Sequence, residues 1–375
     1  MPLKIGITGA DGLIGWHLRA WLRAHRPDAE VRLARRATFA DADELFRFAG
    51  GLDAVVHCAG MSRGNDAEVE ETNVDLAQKL SQACKAAAGN GSRHPQLVFT
   101  NSLHVDCDTA YGRGKRTAAE IMAASAAQHG AIFTNLILPH VFGEFGKPFY
   151  NSVVSTFCHQ LALGEIPQLH VDGGLELMHA QCVAVRCIAA IEDAVAGECR
   201  VSGAPFKVSV LLDKLAVMAG SYIGQNVIPN LSDAFDLALF NTLRSYLSRH
   251  LAQTRLTVHK DYRGALFEAV KTDNGGQTFL STTHPGIIRG NHFHTYKFER
   301  FLVCSGEAEI RLRRLFSDDV EVFHVSGDSP CCIDIPTFYT HNIKNAGCGE
   351  LVTLFWVSEI FNPARPDTFH ETVLR

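Results

Sequence analysis

Two architectures in succession are predicted for this 375-residue chain: a doubly wound parallel α/β sheet of the Rossmann-like type, then an all-β barrel. Three observations predict it. Strand-like and helix-like stretches alternate over residues 3–138, which builds a parallel sheet with helices on both faces. A glycine-rich turn, Gly9-Ala10-Asp11-Gly12-Leu13-Ile14-Gly15, joins the first strand to the first helix. Beyond Thr254 the pattern becomes many short strands separated by polar turns, as in a sandwich or barrel. The boundary is placed at residue 250, giving an α/β region over 1–250 and a β region over 251–375.

The elements follow in order. Residues 3–8 are a β-rich run, and residues 16–25 have helical spacing. Residues 30–34 read as a second strand, 41–49 as a helix and 53–57 as a buried strand. The interval from 30 to 49 is short for a full strand-helix unit, so one strand is expected to be vestigial. Residues 73–87 form a helix with Val74, Ala77, Leu80 and Ala83 or Cys84 on its apolar stripe. Residues 96–100 are a strand, 111–129 an alanine-rich helix, and 131–138 a strand stopped by Pro139. Residues 231–247 still look helical, and the short strands begin after them.

Composition excludes several classes. With 46% hydrophobic and 20% charged residues the chain is ordinary globular protein. A net charge of -5 with interspersed signs gives no footprint for nucleic acid. No apolar run reaches membrane-spanning length, and the N-terminus enters a strand at once, so neither signal peptide nor anchor is expected. The 11 cysteines stand in apolar segments without a CxxC pair, which points to reduced thiols and a cytoplasmic location.

The glycines of the first turn have physical uses: a tight turn, close backbone approach to a pyrophosphate, and close helix-strand packing. Backbone N–H groups near Leu13 and Ile14 would face the phosphate. Tyr111 and Lys115 are four apart and share a helix face, so the ammonium is expected near the phenol, where it would lower the tyrosine pKa. Tyr111 could then act as general acid toward a carbonyl receiving hydride, with Ser102 on the same oxygen. Arg35 and Arg36 end the second strand, where a basic residue suits a ribose 2′-phosphate, so NADPH is the expected cofactor. Together TGADGLIG, HCAG, Asn73 and the Ser102–Tyr111–Lys115 set resemble the extended short-chain dehydrogenase/reductases that act on nucleotide sugars. That resemblance implies that Lys115 also holds the nicotinamide ribose and that Ala59 and Gly60 line the cofactor.

A second constellation lies in the last third. His292 and His294 alternate onto one strand face, Glu299 comes from the next stretch and His341 from a distant strand. Imidazoles plus a carboxylate suit zinc, iron, nickel or manganese. The spacing G-x5-HxH-x4-E-x6-G from Gly286 to Gly306, and P-x4-H-x3-N from Pro336 to Asn345, resembles the two cupin motifs, with zinc the metal that family implies.

The order reductase then cupin, with matches such as PGIIRGNHFH, FLVCSGEAEIR, IPTFYTHNI and FNPARPDTF, resembles the bifunctional capsular polysaccharide enzymes of the CapF type. The resemblance spans nearly the whole chain. It implies 3-epimerisation of a UDP-2-acetamido-2,6-dideoxy-4-hexulose in the cupin region and NADPH-dependent reduction of the C4 ketone in the other. The implied product is UDP-2-acetamido-2,6-dideoxy-L-talose, on the route to UDP-N-acetyl-L-fucosamine for capsular or O-antigen polysaccharide, and the implied assembly is a homodimer. Lys297 or Tyr339 is the expected base of the epimerisation. Three departures stand out: Gly114 replaces a small polar residue, His140 stands where asparagine is usual, and His179-Ala180-Gln181-Cys182 fills a stretch that usually reads Tyr-x-Asp-Asp. Two other readings remain open at this stage: a reductase with a purely structural metal cupin, and a degenerate sugar-nucleotide-binding protein.

Overall fold

The structure, a computed structural model, describes residues 2–89, 93–247, 253–262, 264–273 and 275–374. Contacts divide it into two compact units, Met1–Thr156 with Leu169–Ser209, and Phe157–Gln168 with Val210–Arg375. The boundary expected at residue 250 lies outside the described residues.

The first unit is built on a six-stranded parallel sheet. β1 (Lys4–Thr8) leads through α1 (Leu13–His25) to β2 (Glu30–Ala34), then through α2 (Arg36–Ala40) and α3 (Ala42–Ala49) to β3 (Ala54–His57). α4 (Asp66–Gly89), β4 (Gln96–Ser102), α5 (Ala110–Gln128) and β5 (Phe133–Leu138) follow. The strand order is β2-β1-β3-β4-β5, closed by the strand Gly197–Arg200. The connection from β2 returns past β1, so the order reverses there and opens a crevice at the carboxyl ends of β1 and β3. No strand lies between β2 and β3 among the described residues; two short helices fill the interval where a vestigial strand is expected.

The central strands are buried on both faces and are largely apolar, while the edge strands Glu30–Ala34 and Gly197–Arg200 keep exposed polar residues. Successive side chains go to opposite layers. Ile5, Ile7, Val56, Val98 and Leu136 pack with Leu18, Leu22, Val183 and Ile188 on one side. Val55, Leu97 and Phe99 pack with Phe48, Leu80, Ala118 and Met122 on the other. α4 begins earlier than periodicity suggests because Asn65 caps it, its side chain accepting from the Glu68 N–H at 2.9 Å.

The second unit carries two five-stranded antiparallel sheets, a cupin-like arrangement. One contains Glu299–Ser305, between Cys331–Ile335 and Leu351–Val357. The other contains Tyr339–Asn345, between Glu307–Arg314 and Ile288–Phe293. Phe301, Val303, Ile310, Leu312, Phe323, Ile333 and Ile343 form one apolar core. The helix Ala234–Arg244 belongs to this unit. A buried polar network around a strand-to-strand ion pair meets this helix at Arg244. Arg300 Nε and Nη2 donate to Asp334 at 2.6 and 2.8 Å. Tyr222 donates its hydroxyl to the same carboxylate. Arg244 stacks 3.7 Å over the Phe298 ring and donates to the Ile335 carbonyl at 3.3 Å.

Candidate functional site

The first site gathers at the carboxyl ends of β1, β3 and β4. Gly9 has φ +62, and a Cβ there would lie 2.6 Å from the Ala59 nitrogen. A Cβ on Gly15 would lie 2.3 Å from the Gly9 carbonyl oxygen. The turn therefore closes only with glycine at both places. Gly12 is the N-cap of α1 and, having no side chain, leaves the first helical N–H groups, including those of Leu13 and Ile14, without a side-chain cap. Such an uncapped end, with a positive dipole, suits a pyrophosphate.

The neighbouring loop is held from two sides. Thr8 Oγ1 accepts from the Ala59 N–H at 3.2 Å and contacts His57 Nδ1 at 2.7 Å. Asn73 accepts from the Met61 N–H at 3.2 Å and donates to its carbonyl at 2.7 Å, and its Oδ1 would sit 2.8 Å from a Cβ on Gly60. Ala59 and Gly60 are thus fixed beside the glycine turn. Arg35 and Arg36 are exposed just past β2. Arg35 Nε donates to Asp11 Oδ2 at 2.8 Å, and Arg19 reaches Asp11 Oδ1 at 3.0 Å. Asp11 was not singled out by sequence, although its place inside the glycine turn is a usable signal.

Ser102 ends β4 while Tyr111 and Lys115 lie on α5, and their electrostatics differ from expectation. Ser102 Oγ accepts from the His104 N–H at 3.3 Å and lies close enough to the Tyr111 phenol to act on it. Burial, with the Tyr150 phenol, pushes Tyr111 up to about 12 rather than down, against the opposing effect of Ser102. Lys115 does not lower it. Its ammonium donates to the Thr100 carbonyl at 2.9 Å and lies 3.9 Å over the Phe99 ring. Burial brings Lys115 itself down to about 7. A phenol held protonated is a proton donor at neutral pH, which is the role a ketone receiving hydride requires. Gly114 has a packing reason: a Cβ there would lie 3.0 Å from the Glu70 carbonyl oxygen on α4.

The second site lies between the sheets of the second unit. His292 is the penultimate residue of the strand Ile288–Phe293 and pairs directly with His341 across the ladder. A bulge between Gly290 and His292, with Asn291 at φ +61, re-aims the strand end. His294 lies just past the strand, and Glu299 opens the strand Glu299–Ser305 in the other sheet. One ligand atom from each of His292, His294, Glu299 and His341 lies within 4.8 Å of the others. His294 Nε2 and His341 Nε2 each stand 3.1 Å from Glu299 Oε2. Yet these three atoms are buried with no hydrogen-bond partner. Buried polar atoms are nearly always satisfied, so atoms that converge unsatisfied are a group that could hold a cation.

The outer contacts fix which nitrogen faces inward. His294 Nδ1 is bonded to the Asp367 carbonyl, and His341 Nδ1 to the Tyr339 carbonyl at 3.1 Å. Burial, with the other imidazoles, brings His292 down to about 3, so it is neutral. Burial also opposes charge on His294, but Glu299 outweighs it and holds that imidazole above its ordinary value. Burial raises Glu299, but His294 and His341 outweigh it and hold the carboxyl well below the usual range. Lys297 is buried, donates to the Pro366 carbonyl at 2.6 Å and lies 3.5 Å from Glu359. Tyr339 shares a strand face with His341.

A second histidine–glutamate cluster was not foreseen. His17, Glu144 and His179, from three separate stretches, also bring their atoms within 4.8 Å. Here every group is engaged. His17 Nε2 donates to the Glu144 carbonyl at 3.1 Å, Gln181 donates to His17 Nδ1 at 3.0 Å, and His179 Nε2 meets Glu144 Oε2 at 2.8 Å. The unusual His179-Ala180-Gln181 stretch thus completes a hydrogen-bond network with Glu144. His140, the other departure, keeps its Nε2 buried without a hydrogen-bond partner.

The comparisons agree with this geometry. Residues 5–200 match the NAD dependent epimerase/dehydratase family, and residues 259–369 match the polysaccharide biosynthesis C-terminal domain. The chain belongs to the NAD dependent epimerase/dehydratase family, fused to that second domain. Within it, the full-length likeness is to the CapF type. Capsular polysaccharide assembling protein CapF of Staphylococcus aureus is 30% identical, covering 99% of this chain and 100% of its own, with a TM-score of 0.61. A UDP-2-acetamido-2,6-beta-L-arabino-hexul-4-ose reductase of Pseudomonas aeruginosa is 28% identical over 98% of both chains. The spore coat polysaccharide biosynthesis protein SpsL of Bacillus subtilis is 27% identical over 30% of this chain and 82% of its own. No described helix is long and apolar enough to cross a membrane.

Proposed function

We propose that the chain is a bifunctional nucleotide-sugar enzyme. Its second unit inverts C3 of a UDP-2-acetamido-2,6-dideoxy-4-hexulose. Its first unit reduces the C4 ketone with NADPH to UDP-2-acetamido-2,6-dideoxy-L-talose, on the route to UDP-N-acetyl-L-fucosamine. The observation that carries the reading is the buried, unsatisfied convergence of His294, Glu299 and His341, with His292 beside them, in a chain that also sets Ser102 against Tyr111.

In the first unit, the glycine turn and the first N–H groups of α1 receive the pyrophosphate. Arg35 and Arg36 take the ribose 2′-phosphate, and Ala59 and Gly60 line the nicotinamide side. NADPH supplies the hydride. Ser102 orients the C4 oxygen, and Tyr111, kept protonated by burial, donates the proton that the reduced oxygen needs. Lys115 holds the nicotinamide ribose.

In the second unit, His292, His294, Glu299 and His341 would hold a divalent cation, proposed to be zinc. It supplies Lewis-acid polarisation of the ketone, which makes the C3 proton acidic. Tyr339, on the His341 face of its strand, is the side chain proposed to exchange that proton. Lys297 is the weaker choice because its ammonium is already a donor to Pro366 and a neighbour of Glu359. A homodimer belongs to the same reading; the edge strand Gln277–Thr283 exposes Phe279 and Leu280, which a second copy would cover.

The test separates the two reactions. With the UDP-linked ketosugar in deuterated water and no NADPH, the wild type should incorporate deuterium at C3, and Tyr111→Phe should do so equally. With NADPH, Tyr111→Phe should lose about 100- to 10,000-fold in reduction. Reduction without C3 exchange would leave the cupin a structural domain. Neither reaction would leave a binding protein.

A further inference from the structure

The C-terminal segment supplies a residue that no motif marks. Asp367 is 4% exposed and stands at φ +41, a left-handed conformation that is costly for an aspartate. Its carboxylate accepts four hydrogen bonds from three consecutive residues. Oδ1 takes the Thr295 N–H at 3.0 Å and the Thr295 hydroxyl at 2.6 Å. Oδ2 takes the Tyr296 N–H at 3.0 Å and the Lys297 N–H at 2.9 Å. Its own carbonyl receives His294 Nδ1. Lys297 Nζ adds a bond to the preceding carbonyl, that of Pro366.

These contacts surround the ligand set. Residues 295–297 connect His294 to Glu299 through Phe298, so their backbone path sets the separation of two of the four groups. An N–H held by a carboxylate cannot turn away, and an imidazole whose Nδ1 is bonded to a carbonyl must present Nε2 to the centre. One residue thus fixes the tautomer and orientation of His294 and the course of the chain toward Glu299.

We infer that Asp367 is the positioning residue of the His292–His294–Glu299–His341 cation site, so that cation affinity depends on the C-terminal segment. The inference rests on reading that cluster as a cation site. Asp367 touches no ligand atom that would face the cation. Its effect passes through His294 and the turn that follows.

The experiment titrates the full-length protein with Zn2+ against a chromogenic chelator and with Co2+ by visible absorption. Asp367→Asn keeps the size but places an amide N–H where backbone N–H groups donate. It should weaken Zn2+ binding about 10- to 100-fold and change the energy and intensity of the Co2+ bands. Asn345→Ala is the control. Asn345 is 1% exposed, donates to the Thr283 and Gly349 carbonyls at 2.8 Å each, and lies four residues along the strand from His341. It should lower the melting temperature and leave affinity and bands unchanged. Wild-type affinity and spectrum in Asp367→Asn would overturn the inference. So would a loss no larger than that of Asn345→Ala. A wild type that takes up neither ion would instead overturn the cation site itself.

Discussion

Two clusters in this chain have nearly the same chemistry and opposite hydrogen bonding. His17, Glu144 and His179 gather in the first unit, and His292, His294, Glu299 and His341 in the second, each with its ligand atoms inside 4.8 Å. In the first, the imidazoles and the carboxylate satisfy one another, Gln181 and a backbone carbonyl. In the second, two imidazole nitrogens stand 3.1 Å from the carboxylate oxygen in ion-pair contact, but the three inward atoms have no hydrogen-bond partner. Proximity of histidine and glutamate therefore does not define a cation site. What defines it is which nitrogen the outer contacts leave free. In the second cluster the Nδ1 atoms of His294 and His341 are spent on carbonyls, and Nε2 is what remains.

The contrast can be broken most directly at His292. His292→Ala should reduce Zn2+ affinity by at least roughly 100-fold and abolish C3 deuterium exchange, while barely changing the melting temperature of the cation-free protein. Equal stability loss in cation-free protein would show that the cluster is held by contacts within the chain, like its counterpart. Glu144→Ala is the mirror experiment. Removing one partner from a fully buried pair should cost about 3 kcal/mol in urea unfolding and leave Zn2+ stoichiometry unchanged. Loss of bound zinc in that variant would end the distinction.

A subtler test uses pH. Burial brings His17 down to about 4 from its ordinary 6.5. The unfolded chain therefore binds a proton in that window that the folded chain refuses. Stability is complete above pH 6.5 and is lost as the pH falls toward 4, by up to about 3 kcal/mol. The Glu144 carboxyl, raised by burial but held below its ordinary value overall by His179 and His17, adds a loss of the same sign at lower pH. His17→Gln, which keeps a donor for the Glu144 carbonyl, should flatten the slope between pH 6.5 and 4 in acid unfolding curves. An unchanged slope would assign it to other groups.

What was legible in sequence was local or periodic. The strand-turn-helix with Gly9, Gly12 and Gly15, the helical pairing of Tyr111 with Lys115, and the HxH-x4-E spacing each occupy one short segment. The reversed strand order follows from alternating elements. The direction of the Tyr111 shift was not legible, because spacing brings Lys115 near but cannot show that its ammonium turns to Thr100. Asp367 is about 70 residues from His294, and nothing in Arg365-Pro366-Asp367-Thr368 reveals which turn it clamps. Glu144, His17 and His179 carry no spacing at all, since three distant stretches supply them. The early start of α4 was readable, because Asn65 precedes Glu68 by the interval a cap uses.

The bond from Tyr222 to Asp334 and the stacking of Arg244 on Phe298 bear on how the chain can be dissected. A fragment starting with the strand Gln253–Arg255 would keep every ligand of the second cluster but would discard the hydroxyl and the guanidinium that shield Arg300 and Asp334 from water. Such a fragment should be poorly soluble, whereas one beginning at Val210 retains that shield and is the better starting point for studying the second cluster alone.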